Sequence, residues 1–476
     1  MQDAKEKSHW LISIKEKARD WWVTYDEKLW AKRILVYLLF LVLWSVDFAL
    51  IFDHFDLFNT EAHSTRYMLS ALVQSQAAII AIVVSLTLIA VQLSASAYSP
   101  RVIDIFKSPK KNPDLWILIG FYGFSIFYGL FLLKMVVEKE GEFVNQTPIW
   151  PSFHPIISFE HCVSFAYWLG AFTFIILVPY TWNILDLLKP ESIINRLATD
   201  ITKDKFLNSK ESPIQPIMDI VHGSIMKYDI ATTRAGLKVV TERLIEIINS
   251  ESEKEISKLF CDHLERISKL AVSKIDEDTA IEVIKNLWNF GKSIAKQKLK
   301  NATHRVELSL KEVGVAVANK EFVDATRISV EALRELGLAS AENKFPNETK
   351  LVAIFLGEIG MVATKQQIPL ITGQVANSLK DIGSTALKMK LNEEVIQVVA
   401  YHLVIVGIVS TKKGLVGSTE QLAESLVELT LLNGQNCKKA IQAVFVSEED
   451  RESFQKFIDL YKQKLEKLRS EKKDSE

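Results

Sequence analysis

The sequence has little of what most catalytic sites are built from. Three cysteines, Cys162, Cys261 and Cys437, are scattered over 476 residues, which leaves neither a metal-ligand spacing nor a disulfide framework. There is no glycine-rich phosphate loop, serine nucleophile elbow, His-Glu zinc helix or dense dinucleotide glycine pattern. Charge of one sign is also missing. Lys plus Arg is 57 and Asp plus Glu is 58, so no broad basic surface invites a nucleic-acid partner. Together these absences argue against an enzyme and imply no cofactor and no metal. The stretch from Met1 to Lys32 is too charged for the apolar core of a signal peptide.

Long hydrophobic runs are abundant, and they sit in the first 190 residues. Four of them, 34–52, 67–97, 115–137 and 162–188, reach the roughly 20 residues that a bilayer requires. Pro179 is expected to kink the fourth. Basic segments stay on the cytoplasmic side. Residues 1–33 hold eight Lys or Arg and Tyr98–Pro113 holds four, against one each in Asp53–Arg66 and Glu138–His161. Both termini are therefore expected in the cytoplasm of a cell whose inner, or plasma, membrane carries the protein. Trp10, Ile14, Ala18, Trp21, Tyr25 and Leu29 form an apolar stripe with charge on the other faces. Residues 1–33 thus read as an amphipathic helix in the bilayer interface, or as a helix packed on the cytoplasmic part.

The second run raises a sharper question. At about 100° per residue, Ser70, Gln74, Ala78, Ala81, Ser85, Gln92, Ser96 and Ser99 share one narrow wedge. Gln76, Thr87 and Ser94 form a thinner polar line opposite. No charge interrupts the helix between Arg66 and Arg101. Two readings stay open. The wedge lets helices approach closely and hydrogen-bond across their interface, or it lines a water-filled path made by several subunits. Asp47, Lys134 and Asp186 fall near the ends of spans, where charges reach the interface.

The run "SLTLIAVQLSASAYSPRVIDIF" followed by "LWILIGFYGFSIFYGLFLL" resembles a family of prokaryotic membrane proteins known as domain of unknown function 2254. Ser85, Gln92, Ser96, Ser99, Pro100 and Arg101 carry the resemblance, best over residues 67–135. Where the family has a Gly-Ile-Asn-Asp-Pro stretch, this chain has "HGSIMKYDIATTRAGL", with Asp229 and Thr232 but no Asn-Asp-Pro. The resemblance implies a multi-pass inner-membrane protein and supplies no reaction.

Beyond a junction over 189–250, a different order begins. An apolar residue, two variable ones, an apolar one and Gly recur at Gly291, Gly314, Gly337, Gly360, Gly383 and Gly407, at spacings of 23, 23, 23, 23 and 24. Ser268 and Thr430 extend the series by 23 at either end. One helix plus a short turn fits that length, and two units match the period of about 46 seen in HEAT and armadillo arrays. Glycine inside a helix costs about 1 kcal/mol relative to Ala. Its recurrence at one phase points to close helix crossing, since chemistry would not recur in every unit. The helical repeat spans 251–448. The tail, 449–476, is a charged helix with Phe454, Ile458, Tyr461, Leu465 and Leu468 on one side, either a short coiled coil or a cap.

Four of nine histidines, His54, His63, His154 and His161, fall in the outer segments near Asp53, Asp56, Glu61 and Glu160. A metal or proton sensor could be built there, but no spacing is diagnostic. The expectation is an all-α protein: an interfacial helix, four spans and a cytoplasmic α-solenoid. Its leading function is an oligomeric channel or pore-like protein gated or informed by the solenoid. The candidate pore-lining or helix-packing residues are Ser70, Gln74, Ser85, Gln92, Ser96 and Ser99. The alternative is a non-conducting, membrane-anchored scaffold. The expected partners are the lipid bilayer, further copies of the chain and, on the solenoid, a cytoplasmic protein.

Overall fold

The structure, a computed structural model, describes residues 34–45, 62–97, 103–107, 112–136, 159–208, 212–444 and 447–473. The amphipathic segment 1–33, Asp47, Ser99, His54 and His154 lie outside them. The chain divides into two compact units, Met1–Leu197 and Ala198–Glu476, and the described residues are helical, without strands. The junction expected over 189–250 is shared between these units.

The first unit contains α1 (Ile34–Ser45), α2 (Ala62–Ala97), α3 (Ile103–Lys107), α4 (Pro113–Met135), α5 (Phe159–Leu187) and α6 (Pro190–Ala198). α2, α4 and α5 are long and apolar enough to cross a membrane. α2 starts at Ala62, five residues before the run read from hydropathy, because the polar Ser64 and Thr65 continue the helix. α5 runs unbroken through Pro179. Only the first twelve residues of the expected first span are described, as α1.

Small residues let these helices approach. Gly129 of α4 takes the side chain of Val73 from α2, and Gly170 of α5 takes Leu72. α1 joins through rings: Tyr37 and Phe40 pack on Phe172, and Trp44 stacks on Trp168. The indole N–H of Trp168 donates to the Leu41 carbonyl at 2.9 Å, so its polar atom is satisfied inside the apolar bundle.

The second unit contains α7 (Lys203–Asn208), α8 (Gln215–Met226) and α9 (Ile230–Ile247), then α10 (Glu253–Lys274), α11 (Glu277–Lys296), α12 (Lys300–Asn319), α13 (Val323–Glu342), α14 (Pro346–Lys365), α15 (Pro369–Lys388), α16 (Glu393–Lys412) and α17 (Val416–Leu432). α18 (Gly434–Ala443) and α19 (Arg451–Lys473) follow. From α10 to α18 each helix packs on the next, and from α9 on each packs on the helix two further along, so α10, α12, α14, α16 and α18 form one layer and α9, α11, α13, α15, α17 and α19 the other. α16 is also apolar enough to span a membrane by length and composition. Its place in the repeat accounts for that. It is buried between layer neighbours α14 and α18 and against α15, α17 and α19.

The glycines take knobs from two neighbours. Leu336 fills the space at Gly291, Ile359 that at Gly314, Ile382 that at Gly337 and Leu429 that at Gly383. Each knob comes from two helices on, from the position just before the next glycine of its layer, or before Thr430 in the case of Leu429. The following helix supplies Val306, Ser329, Val352, Val375 and Val399. At Gly407 the knob is Phe457 of α19. The tail helix buries Phe457, Ile458, Tyr461 and Leu465 in this way, and so serves as a cap and not as a coiled coil.

A second periodicity governs the turns. Ile275, Lys298, Glu321, Lys344, Gln367 and Lys390 have φ between 55° and 59°, and Gly414 has 70°. The N–H of Lys298 donates to Ala295 O and that of Leu299 to Ile294 O, both at 3.1 Å, the Schellman arrangement. The next residue then starts the following helix: Leu299, Phe322, Phe345, Ile368 or Leu415. Being apolar, it cannot cap with its side chain. Four residues on, the hydroxyls of Thr303, Thr326, Thr349, Thr372 and Thr419 donate to its carbonyl.

Candidate functional site

The buried face of α2 is Thr65, Leu69, Val73, Gln76, Val83, Thr87, Ala90 and Ser94. The polar wedge lies on the opposite side. Gln74, Ala78, Ala81, Ser85, Gln92 and Ser96 are exposed, and Ser70 is half-buried. The wedge therefore does not pack within the described part of its own bundle. The thinner line of Gln76, Thr87 and Ser94 does. Tyr180 of α5 pairs with Thr87, whose hydroxyl donates to Val83 O at 2.7 Å.

The wedge hydroxyls are held close to the helix. Ser85 donates to Ala81 O and Ser96 to Leu93 O, each at 2.9 Å. The Gln74 amide reaches Ser70 Oγ at 3.3 Å. Such back-bonding leaves the hydroxyl oxygen able to accept from water. Gln92 makes no hydrogen bond among the described residues. The wedge is bordered by exposed Leu86, Leu88, Ile89 and Leu93, which suit lipid or a neighbouring helix.

At the end of the bundle carrying Asn112, a second polar group joins three helices. Arg196 Nη2 of α6 donates to Asn183 Oδ1 of α5 at 2.5 Å, and Asn183 Nδ2 donates to Asn112 Oδ1 at 3.2 Å. Asp186 pairs with Lys189 at 3.1 Å and accepts from Ser192 at 2.8 Å. Lys134 is exposed near the far end of α4.

These helices are matched by a known family. Residues 26–225 match the family model described as "Predicted membrane protein (DUF2254)". The match extends well beyond residues 67–135, covers α1, α2, α4 and α5, and stops before the glycine repeat. The chain is thus a membrane protein with transmembrane helices and a helical repeat. No curated protein matches it. Among solved structures, a "Circular tandem repeat protein with novel repeat topology and enhanced subunit contact surfaces" is similar over 85% of this chain and 99% of its own, at TM-score 0.36 and 11% identity.

Asp229 and Thr232, which stand where the family has its Gly-Ile-Asn-Asp-Pro stretch, have a structural task. Asp229 caps α9, accepting from Thr232 N at 3.1 Å and from its hydroxyl at 2.6 Å. That hydroxyl bond holds the carboxyl below the usual carboxylate range. Asp276 and Thr279 repeat the arrangement at α11. Cys261 is buried in the repeat, and burial pushes its thiol up to about 12, which leaves it inert at neutral pH. No cluster of three or more His, Cys, Asp or Glu occurs among the described residues.

Proposed function

We propose that this protein is an oligomeric channel or pore-like protein of the cell membrane, with both termini cytoplasmic. Copies meet through the second span, and Ser85, Gln92 and Ser96 face the path between them. The solenoid serves as the cytoplasmic gating or sensing domain. One observation supports this reading above the others: the uncharged polar wedge points away from the bundle that α4 and α5 form with α2. A polar face turned to hydrocarbon is unfavourable, whereas one turned to water or to an equivalent helix is not.

Purified protein reconstituted in a planar bilayer, recorded beside a Gln92→Leu variant, tests it. Unitary currents whose amplitude or selectivity changes in the variant support the channel. Silence from folded, inserted protein across salts, voltages and pH values defeats it. A membrane-anchored scaffold that recruits a partner through the solenoid is then the reading that stands.

A further inference from the structure

The core of the first unit contains a fully buried amide. Gln76 is 0% exposed, and neither its Nε2 nor its Oε1 has a partner among the described residues. It stands one turn along α2 from Val73, whose side chain fills the space at Gly129 of α4. One turn from Gly129 on that face of α4 is Ser125, whose buried hydroxyl is likewise unpartnered, and Tyr122 Oη follows one turn further. On α5, Gly170 admits the amide: a Cβ there would lie 3.0 Å from Gln76 Nε2. Thr173, one turn on, is buried beside Tyr122, and its hydroxyl donates to Gly170 O at 2.6 Å. Three spans therefore bring amide and hydroxyl groups to one level of an otherwise apolar bundle.

An amide can take two hydrogen bonds on nitrogen and two on oxygen. Leaving all of them unmade in an apolar medium is among the most unfavourable arrangements a membrane helix can adopt. Buried groups of this kind are commonly satisfied by internal water, which needs two to four polar partners. The level also restricts what else could enter. No Asp, Glu, Lys or Arg occurs between Arg66 and Arg101, between Asp114 and Lys134, or between Glu160 and Asp186. A charged guest would find no counter-charge there.

We propose that the Gln76, Ser125, Tyr122 and Thr173 layer is an internal hydrated site, specific for small uncharged hydrogen-bonding molecules, with water as its resident ligand. It lies within a single copy of the chain, on the face of α2 opposite the wedge. It therefore stands or falls independently of a path between copies.

Thiol chemistry in the full-length protein tests this, because a cysteine in a dry core neither ionises nor reacts. Gln76→Cys and Ser125→Cys, in lipid nanodiscs, are treated with methyl methanethiosulfonate (neutral) and with its aminoethyl analogue (cationic). Labelled peptides are quantified by mass spectrometry, which separates them from the three native cysteines. Leu118→Cys is the dry control, since Leu118 is 0% exposed on α4. The expected result is labelling of both test positions by the neutral reagent at least 100-fold faster than at position 118, with the cationic reagent at the control rate. Reaction as slow as the control at both positions, in variants that keep the wild-type melting temperature, overturns the hydrated site. Equal labelling by the cationic reagent overturns its selectivity for uncharged guests. Should Gln76→Cys fail to fold, Ser125→Cys decides alone. Ser85→Cys, labelled in the same series, reports on the wedge separately.

Discussion

His402 of α16 occupies the space left by the missing side chain of Gly357 on α14. Its ring is buried and its Nδ1 is unpartnered among the described residues. Burial pushes the imidazole down to about 4, although the Glu358 carboxylate pulls the other way. The unfolded chain takes up a proton near pH 6.5 and the native one does not, so native stability is lost as pH falls from about 6.5 toward 4. The full effect is on the order of 3 kcal/mol. Urea unfolding at pH 7 and pH 4.5 should show this loss in wild type and a smaller one in His402→Leu. Glu307 of α12 has the opposite sign. It is completely buried, accepts one bond from Ser340 at 3.1 Å, and has Glu348 as its charged neighbour. Burial raises its carboxyl well above the ordinary value, and the Glu348 charge adds to that. A raised acid weakens the fold as pH rises past the unfolded value. Glu307→Gln should therefore stabilise the protein at pH 8 and change it little at pH 4. A variant less stable at both pH values would show that the acid is needed in its charged form.

At the scale of elements, the helices were legible and their contacts only partly so. The mid-helix glycines revealed the period, because a 1 kcal/mol cost repeated at one phase demands a packing cause. They did not reveal that the intruding group is the residue just before the glycine two helices on. That needs the layer geometry. Gly314 is crowded from two helices: an added Cβ would lie 2.5 Å from Ser329 Oγ and 2.6 Å from Ile359 Cδ1. Overpacking costs about 1–3 kcal/mol and outweighs the helix-propensity gain. Gly314→Ala should therefore destabilise the repeat, and Ile359→Val should recover part of the loss in a double-mutant thermal melt. Additive losses would rule out the knob. The turns hid their signal differently. The left-handed position is glycine only at Gly414 and is filled elsewhere by Lys, Glu, Gln and Ile, so a search for glycine stops misses it. Ile275 is the most strained of these, being β-branched at φ 58° and exposed. Ile275→Gly should raise stability by about 1 kcal/mol, read as a higher denaturation midpoint at unchanged slope. On α2, periodicity separated the two polar lines but could not say which one the bundle buries. Ser85, Gln92 and Ser96 differ from Gln76, Thr87 and Ser94 by their neighbours and not by their type.

On the scale of the molecule, the two compact units follow from two different solvents. The first unit leaves Leu35, Leu39, Leu86, Phe127 and Trp182 exposed, which water would penalise and lipid does not. The second buries its apolar residues in a two-layer array and covers its outside with ion pairs. Lys300–Glu348, Lys311–Glu358, Arg334–Asp381 and Lys380–Glu428 join alternate helices at 2.8–3.3 Å. Where such pairs are exposed they contribute little energy each, but they favour one register of the stack. Residues 198–476 should accordingly fold without the spans, giving a soluble helical protein with one cooperative transition. An array of repeats also needs its last apolar face covered. Here α19 covers it, through Phe457 at Gly407, a Tyr461 hydroxyl bond to Thr430 at 3.1 Å, and the Lys464–Glu424 pair. Removing residues 447–476 from that fragment exposes the α16 and α17 face that α19 had buried. The truncated fragment should melt at least 10 °C lower or aggregate at micromolar concentration, as light scattering during a thermal scan would show. If it melts like the longer fragment, α19 is an appendage and the array is held by its internal repeats alone.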